Sequence, residues 1–198
     1  MSLRRFSKQI EVGCDEAGRG SLSGPVVAAA VILPQDFIND ELNDSKKLTH
    51  AKRDKLNNII LDEALACEVG IVKPKKIDEI NILNASILAM HKALEKIDID
   101  FNLILIDGPY FKSFKNKKHQ CIIRGDSKFY AIAAASIIAK TYRDNLMKKI
   151  HDKFPEYMWC QNKGYPTKEH KRAIKKHGPS IHHRRSFKLI DKQMSLKI

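Results

Sequence analysis

The chain has 198 residues, of which 43% are hydrophobic and 30% charged, a composition typical of folded proteins and sufficient for one well-buried core. Its longest apolar runs, at residues 26–33 and 130–139, are far shorter than the roughly 20 residues that span a bilayer, and the N-terminal residues lack the apolar stretch of a secretory signal. The net charge of +13 is concentrated near the C-terminus, where residues 148–198 hold 14 Lys and Arg against four Asp and Glu; this favours a polyanionic partner, with a solvated basic face as the alternative.

The cysteines indicate the compartment. All four are widely spaced and form no CxxC pair, which fits neither a zinc site nor a disulfide framework and favours a reducing, cytoplasmic environment. No heptad pattern or large apolar patch indicates an oligomer, so we predict a monomer.

Residue patterns along the chain predict an alternation of strands and helices. Two strands, at residues 9–17 and 25–33, are rich in Val, Ile and Ala and are joined by a glycine-rich turn, so we expect them to pair. A helix capped by Thr49 follows to about residue 64. Then come a strand at 67–72, a helix at 77–97, and strands at 101–106 and 119–124. This alternation predicts an α/β layer architecture.

The longest predicted helix, at residues 129–154, begins with YAIAAASIIAK, in which nearly every residue is small or apolar. Small side chains let a helix backbone lie close to a sheet, so we expect this helix at the centre of the fold. A basic helix at 167–177 ends at Gly178-Pro179, and a second short basic helix is predicted from about 180 to 190. We predict a single folded unit: a core, 1–152, and a basic helical extension, 153–198, packed on it.

Acidic side chains stand where strands are predicted to end. Asp15 and Glu16 end the first strand, Asp107 follows the strand at 101–106, and Asp126 precedes the longest helix. A lone Asp beside Gly or Ser is usually a turn former or an N-cap, but strand ends are where α/β folds bind ligands. No Lys or Arg adjoins Asp15, Glu16 or Asp107 in sequence, and clusters of oxygen ligands favour Mg²⁺ or Mn²⁺ over Zn²⁺. Paired ions shared by carboxylates hydrolyse phosphodiesters, which would give the basic region a role in holding nucleic acid.

Asp15 and Glu16 also present a geometric difficulty. Neighbouring residues on a regular strand point to opposite faces of the sheet, so both carboxylates cannot face one ion pair. We therefore predict that the pleat breaks at Glu16, aided by the glycines that follow.

The segment Gly18-Arg19-Gly20 follows the first acidic pair. Glycines there allow backbone N–H groups to approach a phosphate closely, and a simple tight turn is the alternative. The string G-R-G-S-L-S-G is one residue too long for the GxGxxG fingerprint, no helix pattern follows it, and no GxxxxGK[ST] motif occurs. The sequence therefore indicates neither a dinucleotide site nor a P-loop.

Five ordered motifs carry a resemblance to a known family. They are DEAGRGSLSGPVVAAAVIL at 15–33, DSKKL at 44–48, LIDG at 105–108, GDSKFYAIAAASIIAKTYRD at 125–144 and KGYPTKEH at 163–170. Together they resemble bacterial ribonuclease HII. The resemblance implies an RNase H-like fold, with a mixed five-stranded sheet flanked by helices and a C-terminal helical extension. It also implies an endoribonuclease that cuts the RNA strand of RNA/DNA hybrids, and ribonucleotide-containing duplex DNA on the 5′ side of the ribonucleotide, leaving a 3′-hydroxyl and a 5′-phosphate during ribonucleotide removal.

The resemblance further implies roles for individual residues. Two divalent ions, Mn²⁺ or Mg²⁺, are expected to be held by Asp15, Glu16, Asp107 and Asp126. The ribonucleotide is expected to be held, through its 2′-hydroxyl and the adjacent phosphate, by Gly18, Arg19 and Gly20. Tyr165 is expected to lie against the sugar, and Lys46 near the active site. Because only the 2′-hydroxyl distinguishes an embedded ribonucleotide, backbone groups close to the minor groove suit this task.

Further predictions concern charged residues outside the acidic cluster. Asp144 is a competing metal ligand, although we favour a helix ion pair with Lys140 or Lys148. Contacts with the phosphate backbone are expected among Lys168, Lys171, Arg172, Lys175, Arg184 and Arg185. The histidines His170, His177, His182 and His183 are expected to face phosphate or solvent rather than a metal.

Two other functions remain open on the sequence. A noncatalytic module that binds nucleic acid would use its acidic residues only to cap helices, and replacing Asp107 would then remove no activity. Another enzyme of the RNase H-like superfamily, such as a DNA resolvase, would cut all-DNA duplexes as readily as those that contain a ribonucleotide.

Overall fold

The computed structural model describes residues 3–42 and 49–190. Five strands are present: β1 (Glu11–Ala17), β2 (Val26–Ile32), β3 (Ala66–Val72), β4 (Leu103–Asp107) and β5 (Lys118–Ile122). The helices within the described ranges are α1 (His50–Glu63), α2 (Pro74–Leu94), α3 (Tyr130–His151), α4 (Trp159–Asn162) and α5 (Lys168–His177). All five predicted strands and four predicted helices are confirmed, with ends displaced by a few residues.

The strands form one mixed sheet in the order β3-β2-β1-β4-β5. Both β1 and β3 run antiparallel to β2, whereas β1, β4 and β5 run parallel to one another. Because parallel strands end at the same edge of a sheet, the residues that end or follow β1, β4 and β5 are brought together. The mixed five-stranded sheet predicted from the resemblance is confirmed.

Helices cover both faces of the sheet. Side chains of α2 pack with Val12 and Cys14 on one face, and α1 and α3 pack with Ala29 and Val31 on the other. Within the described ranges, no helix combines the length and apolar character that crossing a bilayer requires.

Two glycines set how closely the helices approach. A Cβ atom on Gly13 of β1 would lie 2.1 Å from the Ala131 carbonyl carbon of α3, and one on Gly70 of β3 would lie 1.9 Å from the Ala89 carbonyl oxygen of α2. Residues 131, 133, 134 and 135 of α3 are alanines, so its backbone lies directly on the sheet, as the small-residue pattern predicts.

The C-terminal segment packs on the core through an aromatic cluster. Tyr157 and Trp159 contact Leu22 and Met147, and α5 begins with a cap in which Thr167 Oγ1 accepts from His170 N–H. The second basic helix predicted from 180 to 190 is wrong, because this segment has no helix. Instead, His183 of this segment forms an isolated antiparallel β-bridge with Ser23.

Replacing Gly13 by Ala should lower the free energy of unfolding by about 1–3 kcal/mol, because the added methyl meets helix backbone that cannot move aside. Gly20→Ala is the matched control, since its Cβ would make only an ordinary contact of 4.0 Å and should change stability little. Urea unfolding of both variants checks this, and equal stabilities would contradict the close approach of α3.

Candidate active site

Three carboxylates meet where the parallel strands end. Asp15 follows Cys14, which pairs with Ile106 of β4, so Asp15 and Asp107 lie on adjacent strands. Asp126 belongs to the 3₁₀ turn Gly125–Ser127 after β5. One carboxylate oxygen from each of the three lies within 4.8 Å of the others. Oxygens at this spacing fit one hard divalent cation, which favours carboxylate ligands.

The electrostatics of Asp15 favour a cation at this position. Burial, followed by the nearby charges of Glu16 and Asp107, raises the pKa of Asp15 to about 7. A hydrogen bond from Ser136 and the charge of Lys140 oppose the rise, but they do not cancel it. A cation shared by the cluster would stabilise the ionised carboxylate by the same physics.

Ser136 and Lys140 form a support for Asp15 that was not predicted; Lys140 was expected to pair with Asp144 instead. Lys140 Nζ donates to Ser136 Oγ at 2.7 Å, and Ser136 hydrogen-bonds to Asp15. Both residues lie on α3, four positions apart, and therefore on one face of that helix. Gly13 of β1 faces α3, and strand alternation places Asp15 on the same side of the sheet. The two-residue spacing on the strand and the four-residue spacing on the helix were the sequence signal for this support.

Asp107 is held in place by the turn that carries Asp126. Its Oδ1 accepts a hydrogen bond of 2.7 Å from the Gly125 N–H. A Cβ on Gly125 would lie 2.5 Å from Ile132 Cδ1, so this turn packs closely against the Ile132 side chain of α3. The turn thus fixes two of the three carboxylates relative to each other.

Glu16 is placed differently from the other acids. The predicted break in the pleat is wrong, because β1 pairs with β2 in unbroken register through Glu16 and Ala17. Regular strand hydrogen bonding persists there, so Glu16 turns to the α2 face, where it lines a small cavity with Asp107 and Ser86. Its carboxylate accepts from Arg19 at 3.2 Å and is outside the cluster of three. Its role as a metal ligand stays a prediction.

The glycine-rich loop lies beside Tyr165, the tyrosine expected to contact the sugar. A Cβ on Gly20 would lie 4.0 Å from Tyr165 Cε1, and the Leu22 N–H donates to the Gly164 carbonyl at 2.8 Å. These two parts of the chain are therefore in contact, although 145 positions separate Gly20 from Tyr165. Gly18 has φ +94°, and a Cβ there would lie 2.0 Å from Arg143 Nε. Only glycine fits at position 18, on both conformational and steric grounds.

Arg143, which the sequence analysis did not single out, holds this region together. Its buried guanidinium donates to the backbone carbonyls of Ser23 at 3.1 Å, Pro25 at 3.0 Å and Lys163 at 2.8 Å. It also lies 5.6 Å from the centre of the Tyr165 ring. Arg143 stands in the polar second half of α3, among Lys140, Asp144 and Asn145, so local composition did not indicate its burial.

The basic residues divide into exposed and buried groups. Lys168, Arg172, Lys175 and Arg185 are exposed, as phosphate contacts require. Arg184 is 0% exposed, and its guanidinium donates to backbone carbonyls, so its predicted contact with a phosphate is wrong in this structure. Lys46 lies outside the described residues.

Two histidine predictions are also wrong. His170 and His183 are buried, and their Nε2 atoms lie 3.2 Å apart. His170 Nε2 accepts from Trp159 Nε1 at 3.0 Å, which leaves His170 Nδ1 to donate to the Tyr165 carbonyl at 2.9 Å. Burial lowers the pKa of His170 and that of His183. They belong to the core beneath Tyr165 rather than to a phosphate-facing surface.

Asp144 lies outside the acidic cluster. It accepts from Arg53 of α1 at 2.6 Å, so the predicted pairing with Lys140 or Lys148 is wrong. Residues 53 and 144 are distant in sequence, and helix spacing alone could not indicate this pair. Asp144 therefore ties α1 to α3.

Comparisons with known proteins agree on one family. The model of the family Ribonuclease HII matches residues 12–190. A ribonuclease HII of Christiangramia forsetii is 58% identical over 98% of this chain and 98% of its own length, and one of Phocaeicola vulgatus is 54% identical over 96% and 94%. The crystal structure of ribonuclease H2 from Pyrococcus horikoshii OT3 matches with a TM-score of 0.75 and 28% identity, covering 90% of this chain and 94% of that one.

Replacing Asp15 by Asn should stabilise the protein in EDTA above pH 7, by about 1–3 kcal/mol, because it removes a buried carboxylate charge. The pKa of Asp15 is raised from 3.8 to about 7, so the folded state binds the extra proton between these values. The Asp15 carboxyl group therefore contributes less to the free energy of unfolding as the pH rises through this window. The stability gained by Asp15→Asn should vanish near pH 4.

Urea unfolding from pH 4 to pH 8 measures this effect. Asp144→Asn is the control, because it breaks the contact with Arg53 and should destabilise at neutral pH. An Asp15→Asn variant that is less stable than its parent at pH 8 in EDTA would contradict the account of the cluster.

Proposed function

The chain belongs to the ribonuclease HII family and is therefore an endoribonuclease that acts on RNA/DNA hybrids; we propose that it also cuts duplex DNA on the 5′ side of a single embedded ribonucleotide. The products would carry a 3′-hydroxyl and a 5′-phosphate, and the reaction would serve ribonucleotide removal from DNA. The observation that carries the proposal is the convergence of Asp15, Asp107 and Asp126 beside a loop and a tyrosine suited to a sugar.

We propose that the acidic cluster holds two divalent ions, Mg²⁺ or Mn²⁺. Asp15, Asp107 and Asp126 fit the first by their spacing, and Glu16, which shares a cavity with Asp107, would contribute to the second. When bound, such ions lower the pKa of an attacking water and stabilise the leaving oxygen of a phosphodiester. The support from Ser136 and Lys140 orients the Asp15 carboxylate for this role.

Ribonucleotide recognition is proposed for the loop Gly18–Gly20 and Tyr165. Tyr165 is 42% exposed, and its ring lies beside the loop at Gly20. A backbone N–H and a flat ring read a sugar without regard to the base that it carries, which suits an enzyme that must accept any sequence. Arg19 pairs with Glu16, which joins this loop to the proposed ligand of the second ion.

The remaining duplex would lie on the C-terminal basic surface. We propose that residues 1–152 form the catalytic core and that 153–198 form an extension packed on it, whose exposed residues Lys168, Arg172 and Arg185 contact the phosphate backbone. All the residues assigned here belong to one chain, and we propose that the protein acts as a monomer.

Asp107→Asn should reduce cleavage of a duplex with one ribonucleotide by at least about a thousandfold. The variant loses a carboxylate that binds the divalent ion, and with it the stabilisation of charge on the leaving oxygen. Duplex affinity should stay the same or rise, because a negative charge near the phosphate is removed. Asp98→Asn, at an exposed position away from the site, should cleave at the parent rate.

Cleavage and binding are measured on the ribonucleotide duplex and on an all-DNA duplex of the same sequence. If Asp107→Asn cleaves as fast as its parent, the protein is a binding module or uses another site. If the parent cuts both duplexes equally, the resolvase alternative replaces the ribonuclease.

The triple variant Lys168→Ala, Arg172→Ala, Lys175→Ala should reduce the slope of log K against log salt concentration by about three, since each phosphate contact contributes about one. A control triple removes Lys8, Lys115 and Lys118, which are exposed near the opposite end of the sheet. Equal slopes for the parent and the α5 variant would show that these residues are only solvated.

A further inference from the structure

Arg184 is a buried cation placed directly beneath the glycine-rich loop. Its Nε donates to the Gly24 carbonyl and its Nη1 to the Arg19 carbonyl, both at 3.0 Å. The ring of Phe187 lies 5.1 Å from the guanidinium carbon. Among the described residues Arg184 forms no salt bridge with a carboxylate, so this charged group is devoted to backbone carbonyls.

The hydrogen bond to Arg19 determines how the next peptide is oriented. A trans peptide is planar, and its C=O and N–H point in opposite directions; the described chain contains no cis peptide bond. Because the Arg19 carbonyl is turned inward to Arg184, the Gly20 N–H is turned away from it. Gly20 is exposed, and its N–H donates no hydrogen bond within the described part of the chain.

Gly20 lies beside the proposed sugar-binding ring. A Cβ on Gly20 would lie 4.0 Å from Tyr165 Cε1, and the neighbouring Arg143 fixes the segment that carries Tyr165 through the Lys163 carbonyl. Burial and the nearby charge of Arg143 lower the pKa of Arg184 to about 9, so Arg184 is still protonated at neutral pH and keeps its donors.

We propose that Arg184 is a positioning residue for ribonucleotide recognition: it fixes the Arg19–Gly20 peptide so that the Gly20 N–H donates to the 2′-hydroxyl oxygen of the ribonucleotide. This inference rests on the proposed function of the loop and adds the residue that sets its geometry. A lysine keeps the charge but lacks the rigid planar fork that holds two carbonyls at once. Arg184→Lys therefore loosens the peptide without removing the cation.

The test compares affinities for two duplexes that differ by one 2′-hydroxyl. In an Asp107→Asn background, which binds without cutting, the ratio of Kd for the all-DNA duplex to Kd for the ribonucleotide duplex measures recognition of the hydroxyl. Adding Arg184→Lys should reduce this ratio about three- to tenfold, the range of one hydrogen bond. The affinity for the all-DNA duplex should change less than twofold, an outcome that general destabilisation would not produce.

Arg5→Lys is the matched control. Arg5 also donates its guanidinium to backbone carbonyls, at Pro34 and Gln9, but near the other end of β1. Its variant should keep the parent ratio. An unchanged ratio in Arg184→Lys, with thermal unfolding that shows a folded protein, overturns the inference.

A second measurement does not depend on whether Arg184→Lys folds. In the Asp107→Asn protein, the NMR signal of the Gly20 amide should move downfield with the ribonucleotide duplex and much less with the all-DNA duplex. Equal shifts with both duplexes would overturn the role of Gly20 N–H. If the parent enzyme cuts both duplexes equally, the proposed function itself fails; if it discriminates while the Gly20 amide does not, only this inference fails.

Discussion

The structure depends on the convergence of negative charge at one edge of a sheet. Asp15, Asp107 and Asp126 come from parts of the chain far apart in sequence, and the parallel arrangement of β1, β4 and β5 brings them within 4.8 Å of one another. Burial and mutual repulsion make this arrangement costly without a cation. The rest of the fold supplies the rigidity that keeps it: α3 lies on β1 at Gly13, and the Gly125 N–H holds Asp107.

A second rigid assembly lies beside the acidic cluster. Buried Arg143 and Arg184 bind backbone carbonyls rather than carboxylates, and they join the glycine-rich loop to the two C-terminal segments around Lys163 and His183. Guanidinium groups suit the binding of several carbonyls because their N–H donors are fixed in one rigid plane. The C-terminal segment therefore provides both an exposed basic surface and an internal brace for the glycine-rich loop.

The sequence was most informative where local pattern and global fold agree. The strands rich in Val, Ile and Ala, the Thr49 cap and the alanine-rich face of α3 were all predicted, and the motifs identified the residues that converge at the strand ends. The orientation of Glu16 was harder to predict. Strand alternation correctly placed its side chain on the face opposite Asp15, but the assumption of a shared ion favoured a break in the pleat. Strand register prevailed, since a regular ladder satisfies every backbone group.

The errors concern residues whose environment is created only by tertiary packing. Charge alone suggested that Arg184 contacts phosphate and that His170 and His183 face phosphate or solvent, but each is buried among backbone acceptors or aromatic rings. The pair of Asp144 with Arg53 also joins separate helices and has no local signal. Residues 180–190 lack a helix because their backbone pairs with the loop before β2: His183 forms a β-bridge with Ser23, and Arg184 N–H donates to the Leu22 carbonyl.

The most direct test of the central claim is an anomalous-difference map from crystals of the protein soaked in Mn²⁺. The account predicts a peak within about 2.0–2.6 Å of carboxylate oxygens of Asp15, Asp107 and Asp126. Manganese peaks elsewhere on the protein, with none in contact with these three side chains at a pH above 7, would contradict it.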